Sequence, residues 1–220
     1  MKRYIDINEV SDGRFYGLRD MVKAGCDDCQ GCHDCCQGMG SSILLDPYDL
    51  FRLTTGLHRS FDQLLEDKIE LNIADGLILP NLKMNSETDC CGFLNEEGRC
   101  SIHPLRPGIC RIFPLGRFYE DGSFRYFLQV HECKKEPKTK VKVLKWIDTP
   151  NPGRNEQFII DWHYFIKDMS ERLESAEESY RKTVCLYLLK NFYQNPYDGN
   201  QDFYSQFYER FQEAKKIFQI

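Results

Sequence analysis

The chain has no apolar run approaching the roughly 18 residues that a membrane-crossing helix needs. Its first residues, Met1-Lys2-Arg3-Tyr4-Ile5-Asp6, begin basic, turn polar at once and contain no apolar h-region. A secretory signal is therefore not expected, and the cytoplasm is the expected compartment. Positive charge is not in surplus either: the formal net charge is -5 over 220 residues. That balance offers no general footprint for nucleic acid and no polybasic contact for a membrane. No glycine-rich phosphate loop, His-Glu-x-x-His or Gly-x-Ser-x-Gly is present. The three-then-two cysteine spacing of radical enzymes is also missing. The length suits one compact domain, or a core domain with a smaller appendage. Aromatics reach 13%, so the core should be rich in Phe and Tyr and short of Val and Ile.

Cysteine is what the chain has in excess, with eleven. Five of them, Cys26, Cys29, Cys32, Cys35 and Cys36, crowd one short stretch. A second group holds Cys90, Cys91, Cys100 and Cys110, with Cys133 further on. Adjacent cysteines pair poorly with each other and an odd total leaves one over, so metal ligation is a better reading than a disulfide framework. A two-residue gap folds the backbone into a knuckle that aims both sulfurs at one ion. Thiolates this close repel unless a cation neutralises them, and the metal's binding free energy then becomes folding free energy. Pro107 stiffens the approach to Cys110, and Arg106 and Arg111 flank it. Guanidinium groups there would offset the charge of a cofactor bound by thiolates, although an ordinary surface ion pair is an equal reading.

The spacing Cys29-x-x-Cys32-x-x-Cys35-Cys36 resembles the signature of the YkgJ-type cysteine-cluster family, described as a zinc- or iron-chelating domain. The later stretch, Cys91-Gly-Phe-Leu, Cys100-Ser-Ile-His and Arg106-Pro107-x-x-Cys110-Arg111-x-Phe113-Pro114, resembles the second half of that pattern. The resemblance covers about residues 26 to 135. Cys26, Cys90 and Cys133 stand outside its minimal signature and raise the prospect of a second metal or a larger cluster.

For the metal, three successive short gaps are similar to the ligand run of bacterial ferredoxins, except that Gln37 stands where those have proline. Zinc is served as well by paired Cys-x-x-Cys knuckles. Ten clustered cysteines would supply two four-thiolate sites with two to spare, and an iron–sulfur cluster is slightly favoured over Zn2+. His33, His103 and His131 lie close to these cysteines and are read as supporting or solvent groups, given so many thiolates. His163 and Cys185 are read as packing residues of the helical tail.

Elsewhere the patterns are local. Asp46-Pro47 should open a helix that Gly56 ends, and Ser60 with Gln63 should cap another through Phe61, Leu64, Leu65 and Ile69. Residues up to Gly25 form a lead-in with little pattern, and Leu77–Pro80 and Leu82–Met84 read as short strands around a break. Hairpins are expected between Cys91 and Cys100 and, at Asp121-Gly122, between Gly116–Tyr119 and Phe124–Val130. The lysine run at 134–145 is read as a solvated linker in preference to a nucleic-acid or acidic-partner patch. Beyond it, helices are expected from Asn155, over about Ala176–Phe192 and from Gln201 onward.

These readings define an α+β fold in which short helices and hairpins surround a cysteine-ligated metal centre. The cysteine domain spans residues 1–135, a linker 136–153 and a helical region 154–220. Three functions remain open. The protein holds a metal or cluster for redox or metal handling, or it modifies protein side chains with S-adenosylmethionine, as the resemblance to flagellin lysine-methylating proteins permits. Alternatively it is a zinc-stapled module whose helical tail docks a protein partner. Neither a catalytic residue nor an oligomeric state is legible.

Overall fold

The computed structural model describes residues 6–26, 29 and 32–220. The basic start at 1–5 lies outside them. The chain begins with α1 (Ile7–Val10), β1 (Ser11–Tyr16) and β2 (Met21–Gly25), followed by a 3-10 turn at Asp34–Cys36. Next come α2 (Pro47–Leu57), α3 (Phe61–Asp67), β3 (Ile69–Ala74) and β4 (Leu77–Leu82). A 3-10 turn at His103–Leu105 precedes α4 (Gly108–Ile112), β5 (Leu115–Glu120) and β6 (Ser123–Gln129). The chain then forms β7 (Thr139–Lys142), α5 (Val143–Ile147) and α6 (Pro152–Leu173). Last are α7 (Glu178–Leu189), which runs on into a π-helical turn at Lys190–Gln194, and α8 (Phe203–Phe218). The architecture is α+β: helices with small antiparallel sheets, ending in helices. Among the described residues, no helix is long and apolar enough to cross a membrane.

Local chemistry explains most of the boundaries. At α2, Asp46 accepts from Asp49 N and the Asp49 carboxylate accepts from Asp46 N, closing a capping box with Pro47 at the first helical position. Ser60 and Gln63 form a second such box at α3. Gly56 does not end α2 as expected; His58, in the left-handed region at φ 53°, caps it one residue after Leu57. Gly56 is needed for packing, because a Cβ there would lie 2.5 Å from Leu105. The break expected between Pro80 and Leu82 is not there either: β4 runs unbroken through both. Leu45 N donates to Pro80 O at 2.9 Å, and the return bond that a proline cannot make to Leu45 O is supplied at 3.1 Å by the buried Tyr193 hydroxyl.

The three sheets are β1-β6-β5, β2-β7 and β3-β4. The β5–β6 hairpin turns through Asp121 (φ 49°) and Gly122 (φ 73°), the paired left-handed conformation that matches strand twist. Strands β1, β2 and β7 correct two expectations. The patternless lead-in forms β1 and β2, and the lysine run contributes β7 and α5. Only Val22 and Ala24 of β2 are buried, and β7 alternates lysine with Thr139 and Val141, so neither segment carries enough apolar signal to stand out locally.

Two apolar clusters result. The smaller joins Val22, Ala24, Ile112, Leu115, Tyr126, Val143 and Ile147. The larger packs α2, α3, β3 and β4 against α6, α7 and α8, with Phe158, Phe192 and Phe207 fully buried at its centre. Helix α6 starts at Pro152, earlier than expected, and Asn155 is buried inside it. Arg154 on α6 makes a bidentate pair with Asp202, the N-cap of α8.

Helix α6 also grips the β5–β6 hairpin. The His163 ring stacks on Tyr119 with centroids 3.5 Å apart, and Tyr164 OH accepts from Gly122 N at 3.1 Å. Burial, with the nearby Lys167 and Arg117 cations, lowers the His163 pKa from 6.5 to about 4. The unfolded chain therefore binds a proton near pH 6.5 that the folded chain refuses until about pH 4. Stability should be full above pH 6.5 and fall through this window by about 1–2 kcal/mol, after allowance for partial exposure. Urea midpoints for wild type and His163→Phe test this. The variant's midpoint should change less between pH 7 and pH 4.5, and equal changes would count against the assignment.

Candidate metal centre

All eleven cysteines are free thiols. Seven of them, Cys29, Cys32, Cys35, Cys36, Cys91, Cys100 and Cys110, line one solvent-open cavity. Backbone pairing brings the first cysteine run onto the second group. Cys36 ends the 3-10 turn, in which its N–H donates to His33 O at 2.7 Å. Its carbonyl then accepts from Cys91 N at 2.7 Å, while Gln37 bridges Cys90 and Gly38 N donates to Asp89 O. Further bridges, Met84 with Cys91 and Leu94 with Cys100, fix the second group. Between Cys91 and Cys100 the chain makes the small hairpin expected, with Leu94 bridging Cys100 in antiparallel sense, Ser101 N donating to Phe93 O at 2.8 Å and Asn95 N to Arg99 O at 2.9 Å. Gly98 in that turn has φ 70°, and a Cβ on it would come within 3.2 Å of His33 Nδ1, so the turn lies directly over His33.

Cys110 is carried by α4, and the capping box of α2 holds that helix in place. Asp49 Oδ1 accepts from Gly108 N at 2.7 Å, although the two residues are far apart in sequence. Burial pushes the Asp49 carboxyl up, while the Gly108 and Asp46 N–H groups and the Arg117 charge act the other way.

The two arginines have different roles. Arg106 lines the cavity, donates from a terminal nitrogen to His103 Nε2 at 2.8 Å, and has a buried Nε without a hydrogen-bond partner. Arg111, expected to flank the metal centre, is not among the cavity-lining residues. Its guanidinium donates to the carbonyls of Arg106 (3.2 Å), Ile147 (3.4 Å), Asp148 (2.9 Å) and Pro104. The surface ion pair considered for these arginines is not what holds Arg111, which is 5% exposed.

The thiols feel one another. Burial and the neighbouring thiols Cys35, Cys91 and Cys100 hold Cys110 well up from its ordinary range. A hydrogen bond with Cys35 and burial raise Cys36. That same bond, helped by Arg106, brings Cys35 down to about 7. Burial and Cys26 raise Cys29 to about 12. Thiols pressed together in this way ionise together only when a cation compensates them, and cysteine ligation of a metal supplies that cation. Among the described residues, no three cysteine, histidine or carboxylate groups converge tightly enough to hold one ion as they stand. The donors instead ring a space whose remaining wall is largely apolar: Ile43, Leu82, Met84, Phe93 and Ile102.

Cys26, Cys90 and Cys133 are not part of that lining. Cys90 Sγ accepts from Gln37 Nε2 at 3.3 Å and donates to Thr88 O. Cys185 is buried in α7, within the larger core. His33 and His103 line the cavity, which their sequence positions beside cysteines made legible. Sequence gave no sign of Met84 or Ile43, which reach the wall through long-range pairing.

The site is a thiol-lined cavity between two paired cysteine segments. Residues 28–145 match the family model "CxxCxxCC: Putative zinc- or iron-chelating domain", more than half of the chain, and the protein belongs to that family. No curated protein and no solved structure matches the chain.

Proposed function

We propose that the cavity is a thiolate-ligated metal centre that holds an iron–sulfur cluster in preference to a single zinc ion, in a redox or metal-handling role. The observation that carries this reading is seven cysteine thiols around one cavity. A closed zinc site takes four ligands, whereas seven thiols line this one cavity. Apolar walls and an adjacent guanidinium suit a cluster, whose potential depends on burial, hydrogen bonding and nearby charge. Cys35, Cys36, Cys91, Cys100 and Cys110 are the ligand candidates common to both halves of the cavity. Arg106 would offset the negative charge of the thiolate set. When bound, the group would supply one-electron chemistry. Eleven free thiols fit a reducing compartment such as the cytoplasm.

The test is metal and acid-labile sulfide analysis, with a visible spectrum, on the full chain purified without oxygen. Iron with matching sulfide and absorbance bleached by dithionite is the expected result. A colourless protein with stoichiometric zinc and no sulfide would overturn the cluster reading.

A further inference from the structure

Strand β7 lies within the lysine run, and pairing with β2 gives that run an ordered face. Residues two apart in a strand share a face. Val22 and Ala24 of β2 are buried, and Val141 of β7 packs with them on the smaller apolar cluster. The opposite face therefore carries Met21 and Lys23 from β2 with Lys140 and Lys142 from β7, and all four are exposed. The antiparallel register sets Lys23 directly across from Lys140, and Met21 across from Lys142. Like charges directly opposite one another destabilise a ladder. Among the described residues, none of these three lysines has an ion pair. Of the described acids that flank the ladder, Asp20 accepts through Oδ2 from Gly17 N at 2.8 Å, and Glu136 pairs with Lys138. Lysines deter unwanted pairing of an edge strand, but mixed charges would do so without setting Lys23 against Lys140. The chain has 34 acidic residues against 29 lysines and arginines, yet neither strand carries an acid.

We propose that this face docks an extended acidic segment of a partner protein, with carboxylates at alternate positions against Lys23, Lys140 and Lys142 and an apolar side chain on Met21. The spacing fits such a segment. Lys140 and Lys142 are two residues apart on one strand, about 6.6 Å, and alternate carboxylates of an extended peptide repeat at the same interval. Met21, 48% exposed, adds an adaptable apolar contact beside the charges. Other polyanions fit less well. Single-stranded nucleic acid uses aromatic platforms, and neither strand carries an aromatic residue. A duplex or an anionic membrane meets much more of the surface, where the net charge of -5 opposes it. A short segment feels chiefly the charges within a Debye length, about 8 Å at physiological salt. The inference does not depend on which metal the cavity holds.

The experiment follows the fluorescence anisotropy of a labelled synthetic peptide that alternates glutamate with serine and ends in leucine, titrated with the full chain purified without oxygen. Wild type should bind this peptide, more weakly as salt rises, and should not bind its glutamine counterpart. Lys140→Glu with Lys142→Glu should lower the affinity about tenfold or more. Lys216→Glu, at an exposed position of α8, should leave it unchanged. The urea midpoint of the double variant should not fall, because the carboxylate at position 140 faces Lys23. No binding by wild type, or equal losses in the two variants, would overturn the proposal. Tighter binding of oligothymidylate or of phosphatidylserine vesicles than of the peptide would also overturn it, and would assign the face to nucleic acid or to a membrane. Should the double variant fail to fold, acetylation of wild-type lysines gives the answer. The peptide should protect Lys23, Lys140 and Lys142 and leave Lys216 reactive, and uniform protection of all four would count against a docking face.

Discussion

Cys110→Ser should strip the cavity of its metal, with an affinity loss of more than about 100-fold and a matching fall in thermal stability. Cys110 sits on α4 among Cys35, Cys91 and Cys100, and it is held there by the Asp49 contact to Gly108 N. In that setting the free thiol resists ionisation, because burial and three neighbouring sulfurs oppose its charge. A metal reverses the balance by supplying the compensating cation, so the site and its surroundings become interdependent. Serine keeps the size but is a poor ligand for a soft centre. Cys90→Ala and Cys185→Ala are the controls. Cys90 bonds to Gln37 and Thr88 outside the cavity, and Cys185 lies in the helical core. Both controls should keep wild-type metal content. Metal analysis with thermal melts on the three variants checks the prediction, and it fails if Cys110→Ser retains full occupancy.

Arg111→Met should cost about 3–5 kcal/mol of stability, the largest effect expected from any change that removes no thiol. The Arg111 guanidinium ties the loop through Pro104 and Arg106 to the end of α5 at Ile147 and Asp148. Methionine fills similar space but leaves these buried carbonyls without their donor, at about 1–3 kcal/mol for each that water cannot reach. Lysine should rescue little, because one ammonium cannot span the positions that a planar fork reaches. Burial and the Arg52 and Arg106 charges lower the Arg111 pKa to about 10, so the residue stays charged at neutral pH. Denaturant unfolding of Arg111→Met and Arg111→Lys is the measurement. A loss below about 1 kcal/mol for methionine would show that the carbonyls find other donors.

Arg111 also shows what sequence conceals. Its place next to Cys110 suggested a charge facing the thiolates, but a residue's neighbour in sequence does not fix the direction of its side chain. On the short α4 helix, Cys110 faces the cavity while Arg111 points toward α5. Features encoded within a few residues were legible: the Ser60–Gln63 box, the Asp121-Gly122 turn, and the apolar stripe from Phe158 to Met169. Features made by distant pairing were not, and β2 with β7 is the clearest case, because each strand presents too few apolar residues to be recognised alone. The same limit applied to the thiols. Their spacing indicated chelation, but the pairing of Cys36 and Gln37 with Cys91 and Cys90, which sets the two groups around one cavity, joins segments far apart in sequence.

The β2–β7 ladder has a consequence for synthesis. It joins residues before the first cysteine to residues after Cys133, so every clustered thiol lies on the arc between its strands. During translation that arc emerges before its closing strand does. At about 5–20 residues per second, the nascent chain would carry its cysteines for on the order of ten seconds before Lys142 follows. Throughout that interval the thiols depend on the surrounding redox buffer, and the clasp that gathers them arrives last.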